Sequence, residues 1–338
     1  MDNRQTMDTE TAADTRATDA ADADMTVRVA TVTLNPAIDQ TISIPNFTAG
    51  QVNRVEWEQA DPGGKGVNVA AFLADFGCAV SVTGFLGTDN IEIFRNFFAE
   101  KGIADRFVTV PGRTRANVKI LDTPNKRITD INLPGLPFSA ENLTWLRGAI
   151  DALSIDHDWF VLSGSTPSGT PETVYADMVA DLRGRGKKVV LDASGPAFAQ
   201  GVAALPYAIK PNLEELEELV GRRLPDETAI LAAIQELIDR GIGCVVVSLG
   251  ADGAIFAEGT ARLAVRPPAV IVRSTVGAGD AMVAGFILGK LRGLDLEDCA
   301  KQATAFSLGT LTTVGPHLPP PETIEKSMGE IEVRVIAP

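Results

Sequence analysis

The sequence predicts an α/β protein in three layers, α/β/α, with a mainly parallel central sheet and a small β-sheet lid. Two patterns carry this. From residue 139 onward helical and strand-like segments alternate, and the strands expected at 159–163, 188–192, 207–210 and 244–248 are largely apolar runs, as in a sheet covered on both faces. Earlier, residues 42–44, 52–57, 113–119 and 126–132 mix apolar and polar positions, as strands with one wet face do.

Taken in order, residues 1–25 are rich in Thr, Ala and Asp, have little to bury and lack the apolar centre of a leader. They are expected to form a disordered acidic tail, with Met25 as an alternative start. A first central strand at 27–33 opens into Leu34, Asn35, Pro36, Ala37, Ile38 and Asp39, polar side chains where such a strand meets a crevice. The lid draws its strands from about 38–60 and 107–132. Residues 79–84 read as a strand, and 89–101 as an amphipathic helix capped by Asp89 or Asn90. Helices follow at 139–152, at 171–185 behind Pro171, from about Asn212, and at 226–240. The main domain spans 26–318, and 319–338 adds a short polar helix and a tail.

The composition bounds the function. With 45% hydrophobic and 22% charged residues, the chain can bury a sizeable core. Its net charge of −14 argues against nucleic acid and anionic membranes as general partners, so any anionic ligand has to be met by local positive charge. No apolar stretch reaches the roughly 18 residues of a membrane span. Cys78, Cys244 and Cys299 are far apart in apolar surroundings, which points to reduced thiols and a cytoplasmic location. His157 and His317, in loop-like contexts, are expected at the surface.

The chain is organised around 274–285, STVGAGDAMVAG. Gly277, Ala278 and Gly279 lead through Asp280 into an apolar helix, and the free amides of a helix start favour a negatively charged group. A carboxylate beside an anion is a poor neighbour unless it takes a proton from something, so this turn suggests phosphoryl transfer to a hydroxyl. An N-cap turn is the other account of these four residues. Residues 61–71, DPGGKGVNVAA, place Lys65 among glycines at a second helix start, without the spacing of a Walker loop or a dinucleotide fingerprint. Along 113–119, Arg113, Arg115, Asn117 and Lys119 share one face of a strand, a basic face in an acidic protein. Asn212 and Glu215 stand one turn apart at a helix opening, placed either to hold Mg2+ through its water shell or simply to cap the helix. The ends of the expected strands bring Ser163, Gly164, Ser165, Asp192, Lys210 and Ser248 to one rim.

Eight strings in one order resemble the phosphofructokinase B family of ribokinase-like sugar kinases, from about residue 27 to 315: TLNPAID, GGKGVNVA, GFLG, GRTRANVKI, SGSTPSG, KPNLEEL, SLGADGA and STVGAGDAMVAG. The resemblance implies a ribokinase-like fold, ATP and Mg2+. TLNPAID, GGKGVNVA and GRTRANVKI look most like the branch that phosphorylates the C6 hydroxyl of fructose 1-phosphate, with tagatose 6-phosphate and fructose 6-phosphate as alternative substrates and a non-catalytic regulatory protein as a further one. Carried over by position, Asp280 would be the base and the amides of Gly277, Ala278 and Gly279 the anion hole. Asp39, Gly64, Lys65, Asn68, Arg113, Arg115 and Ser165 would hold the sugar phosphate. Lys210, Asn212, Thr275 and the turn Ser248, Leu249, Gly250, Ala251, Asp252 and Gly253 would meet the nucleotide, with Asn212 and Glu215 toward Mg2+. A homodimer joined through the lid is implied as well.

Overall fold

The computed structural model describes residues 28–313, 315 and 317–336. The expected acidic tail, 1–25, lies outside the described residues. The chain begins with β1 (Val29–Thr33), leaves the main sheet for β2 (Ala37–Ser43) and β3 (Trp57–Gly63), and returns through α1 (Lys65–Asp75). Next come β4 (Val80–Gly87), α2 (Glu92–Lys101) and the short strands β5 (Ala104–Asp105) and β6 (Val108–Val110), before β7 (Ala116–Asp122) and β8 (Arg127–Asn132) leave it a second time. The alternating half follows as α3 (Ala140–Leu153), β9 (Trp159–Ser163), α4 (Val174–Gly184), β10 (Lys188–Asp192), α5 (Gly195–Ala203), β11 (Ala208–Ile209), α6 (Leu213–Val220), α7 (Glu227–Asp239) and β12 (Cys244–Ser248). The hairpin β13 (Ala254–Glu258) and β14 (Ala261–Arg266), the helices α8 (Ala278–Leu291), α9 (Leu296–Leu311) and α10 (Pro321–Gly329), and β15 (Glu332–Val335) complete it.

Eleven strands make the main sheet, in the order β15-β14-β13-β12-β11-β10-β9-β1-β4-β5 with β6 beside β4. It is parallel from β12 through β5, and antiparallel only across β12 to β15. Successive side chains of its strands alternate between two cores. Val29, Val161, Val190 and Val246 face one, with α1, α8 and α9, whereas Val32, Leu162, Leu191 and Val247 face the other, with α3, α4 and α7. Both faces being covered, the strands need no polar alternation.

A separate four-stranded sheet runs β3-β2-β7-β8, with β2 and β7 parallel and both outer pairs antiparallel. Its outer strand β8 is exposed along its whole length. Pro62 in β3 is tolerated because β3 is the other edge of this sheet.

Several local expectations are corrected. Residues 52–56 are not strand: Val52 is exposed, and pairing with β2 is supplied instead by Trp57–Gly63, in register from Ser43 opposite Trp57 to Ala37 opposite Gly63. Asp39 lies in β2, within the range expected to supply lid strands. Asn90 caps no helix; it accepts from Thr114 N and donates to Thr114 O, both at 2.9 Å, holding the approach to β7. His157 is buried, not superficial, with Nδ1 3.0 Å from Leu153 O and Nε2 2.8 Å from Ser81 Oγ, so its ring ties the end of α3 to β4. Beyond α10 the chain adds β15, which pairs with β14 as an edge strand of the main sheet. All three cysteines are free and buried.

Candidate functional site

The strand ends set the site. Thr33 aligns with Ser163 and Ser163 with Asp192, while Leu191 aligns with Ile209, so Thr33, Ser163, Asp192 and Lys210 form a row along the carboxyl edge of the parallel strands. In this row Thr33 Oγ1, Ser163 Oγ and Asp192 Oδ2 are buried without a hydrogen-bond partner among the described residues. Buried polar atoms are seldom left so, and their clustering marks a place made for something polar.

Above the row, two helices begin. α8 starts behind Gly277, whose φ of 77° is the left-handed conformation open to glycine at little cost, and no side chain caps its first amides. Asp280 lies in that first turn, 6% exposed, and accepts a hydrogen bond from Asn68 Nδ2 at 2.7 Å. Burial pushes its carboxyl up to about 6, with Lys65 opposing and Asp192 adding to the rise. α1 starts behind Gly64 at φ 117°, where a Cβ would stand 3.0 Å from Thr33 Cγ2 and 3.1 Å from Pro36 Cα. Lys65 and Asn68, three apart on this helix, face the same way. Lys65 Nζ donates to Asp192 Oδ1 at 3.0 Å, and Lys210 Nζ is 3.4 Å from the same oxygen. Burial opposes the charge on Lys65, but Asp192, Asp280 and Glu215 outweigh it and raise the ammonium's pKa. Burial likewise opposes ionisation of Asp192, and Lys210 and Lys65 overcome it, holding its carboxyl below the usual range.

The small sheet brings a third group. Asp39, whose carboxyl burial raises, accepts from Asn117 Nδ2 at 3.0 Å. Its carboxylate lies where a Cβ on Gly63 would be, so a side chain at that position would displace it. Arg115 is held by carbonyls, donating to Asn35 O at 3.2 Å and Leu133 O at 3.4 Å, with Nε buried and unpartnered and its pKa lowered by burial. Lys119 pairs with Asp130 of β8 at 2.8 Å.

These elements enclose a cavity of about 490 Å3 lined by Asp39, Gly64, Lys65, Asn68, Arg115, Ser165, Thr275, Gly277 and Asp280 among others. Lys210 stands just behind it, its Nζ 3.2 Å from the position a Cβ on Gly279 would take. Ala278 and Gly279 form the first turn of α8. Asn212 at the start of α6, Glu215 in its first turn and the turn from Ser248 to Gly253 follow along the rim, joined by a bridge between Asn212 and Ser248. Asn212 and Glu215 form a capping box: Asn212 Oδ1 accepts from Glu215 N at 2.8 Å, and Glu215 Oε2 from Asn212 N at 2.9 Å. Arg113 does not share the strand face; it precedes β7, is exposed and does not line the cavity.

Sequence reasoning missed three groups. Asp192 was visible as a strand end, but its pairing with two lysines depends on strand order. Arg273 and Asp61 also line the cavity. Arg273 had a local signal, a cation just before the Gly277 turn; Asp61 had only its position before the glycine-rich turn.

The arrangement presents a helix start, a buried carboxylate and several cations to one enclosed space, the equipment for moving an anionic group onto a hydroxyl. Comparison with known proteins agrees. Residues 32–323 match the model described as pfkB family carbohydrate kinase. A 1-phosphofructokinase of Rhodobacter capsulatus is 45% identical over 315 residues, spanning 93% of this chain and 100% of that protein. The solved structure titled possible 1-phosphofructokinase from Thermotoga maritima has a TM-score of 0.83 at 28% identity, covering 92% of this chain and 100% of that one. Phosphofructokinase-2 from Escherichia coli, solved in complex with substrates and products, gives 0.83 at 27%, covering 90% and 99%.

Proposed function

The chain belongs to the pfkB family of carbohydrate kinases, and we propose that it transfers the terminal phosphoryl group of ATP to the C6 hydroxyl of fructose 1-phosphate, giving fructose 1,6-bisphosphate and ADP. The observation that carries this is the buried Asp280 in the uncapped first turn of α8, facing a cavity that Lys65 and Arg115 also line.

In this reading Asp39, Asn68, Gly64, Ser165 and the cations Lys65 and Arg115 hold the sugar phosphate, with the C6 hydroxyl toward Asp280. The hydroxyl oxygen bonds to the γ-phosphorus as the bond to the β-phosphate bridging oxygen breaks. Asp280 takes the proton, and the amides of Gly277, Ala278 and Gly279 meet the charge on the transferring group. A carboxyl near 6 is a better base than a free one, yet far weaker than an alkoxide, so proton transfer comes late, once the new bond is forming. The four-stranded sheet covers the sugar and keeps out water, which would otherwise accept the phosphoryl group.

Lys210, Thr275 and the turn from Ser248 to Gly253 are the proposed nucleotide side. Mg2+ bound mainly through water and phosphate needs no cluster of three or more His, Cys, Asp or Glu, and among the described residues there is none. Glu215 keeps one carboxylate oxygen outside its capping bond, so it and Asn212 fit that mode. When bound, Mg2+ neutralises charge on the phosphates. A homodimer is part of the proposal, supported by Ile128 and Ile131, half exposed on the outer strand of the small sheet. Cytoplasmic residence is too, supported by three free cysteines. Among the described residues no helix is long and apolar enough to cross a membrane.

The test is the initial rate of ADP release with Mg-ATP and, in parallel, fructose 1-phosphate, fructose 6-phosphate and tagatose 6-phosphate. The reading expects fructose 1-phosphate to lead in kcat/KM by orders of magnitude. Preference for another isomer keeps the kinase chemistry and overturns the substrate; no turnover with any of them points to a regulatory protein.

A further inference from the structure

Asp192 carries no role in the scheme above, yet it is the most enclosed charge at the rim. Its side chain is 0% exposed, it stands at the end of β10, and one oxygen takes both lysines while Oδ2 has no protein partner. The two lysines arrive from opposite sides. Lys65 comes from α1 and lines the sugar cavity; Lys210 comes from the loop after β11 and stands against Gly279 in the first turn of α8. Two ammonium groups within reach of one carboxylate oxygen repel each other strongly in so buried a place unless an anion lies between them.

A second carboxylate is close by. Asp280 feels the charge of both lysines, and without Asp192 it would be the anion on which they settle. A lysine paired directly with Asp280 would occupy the oxygen left open beside the Asn68 bond and would remove its affinity for a proton. We propose that Asp192 is a positioning residue, a shared counter-ion that holds Lys65 and Lys210 off Asp280, keeping one cation on the sugar side, one on the nucleotide side, and the base free between them. This rests on Asp280 being the base.

The test compares the wild-type enzyme with Asp192→Asn, Lys65→Met and Asp280→Asn, measuring kcat and both KM values across pH 5–9 together with circular dichroism and thermal melting. Asp192→Asn is expected to lower kcat by about 30-fold or more and to raise KM for both the sugar phosphate and ATP. It also moves the acid limb of kcat to lower pH, because a negative neighbour of Asp280 is lost and Lys65 turns toward it. Lys65→Met moves the same limb the other way. A change in packing alone would not shift the limb in opposite directions in the two variants. An unchanged limb in Asp192→Asn with a lowered Tm, or a rise confined to the Mg2+ requirement, overturns the proposal. Should Asp192→Asn fail to fold, Lys210→Met decides: a raised KM for the sugar phosphate as well as for ATP supports the shared counter-ion, and an effect on ATP alone refutes it. Wild-type turnover of fructose 1-phosphate and its loss in Asp280→Asn separate failure of the functional reading from failure of this one.

Discussion

The rim of the main sheet and the small sheet above it contribute charges to one cavity in contrasting ways. At the rim, Asp192 and Asp280 are buried, Lys210 is 7% exposed at its side chain, and Lys65 and Lys210 share the Asp192 carboxylate. On the small sheet, Arg115 is held only by backbone carbonyls, Lys119 pairs with a carboxylate that is half exposed, and β8 is open to solvent. Buried, mutually fixed charges cost no rearrangement when the reaction begins, whereas lightly held ones can shift onto a ligand as it arrives. The rim is suited to chemistry and the small sheet to recognition.

That contrast can be broken most severely at Asp280. Asp280→Asn is expected to lower kcat by about 10²-fold or more while leaving the sugar-phosphate KM little changed, measured by steady-state kinetics. Turnover near the wild-type value would remove the base from the rim. On the small sheet the split should invert: Arg115→Ala raises the KM for the sugar phosphate by about tenfold or more with the KM for ATP nearly unchanged. An unaltered sugar KM would place the phosphate elsewhere.

Acidity offers a sharper line between the two regions. Asp280 must be ionised to accept a proton, so log(kcat/KM) should fall with a slope of one below the carboxyl's pKa of about 6 in the free enzyme, and the limb should vanish from the residual activity of Asp280→Asn. The same shift has a sign for stability. A carboxyl raised from 3.8 to about 6 binds its proton more tightly when folded, so it favours the folded state below about pH 4 and loses that advantage as pH rises through 6. At pH 8 Asp280→Asn is accordingly expected to melt about 1–3 °C higher than the wild type, the proposed base being held against stability. The smallest effect belongs to Lys119→Met, where an exposed pair is lost and the sugar KM should change by about threefold at most.

What could be read in the sequence was local along the chain. Gly277 to Asp280, and Gly64 to Asn68, each put a turn, a helix start and a functional side chain within a few residues, and turn chemistry is written where it acts. The parallel sheet was legible because strands covered on both faces are apolar throughout. Asp192 was legible only as a strand end, because its bond to Lys65 joins residues 127 apart and follows from β10 lying two strands from β1. His157 looked superficial for the same reason: its partner Ser81 is 76 residues away, and only the pairing of β1 with β4 brings it there. Arg113 failed differently. The strand begins only at Ala116, so its period of two does not reach back to Arg113, which is exposed in the irregular segment before it, while Arg115 next to the strand lines the cavity.

One of the junctions between the small sheet and the rim is a single residue. β3 ends at Gly63 and α1 begins at Lys65, so a rotation of that sheet is passed through Gly64 to the opening turn of α1. That turn carries Lys65 and leads directly to Asn68, whose amide grips Asp280. In the proposed reading, grip on the sugar is thereby tied to the aim of the base through one turn of helix, and a residue at Gly64 that resists a φ of 117° would disturb both even if every contact with the substrate survived.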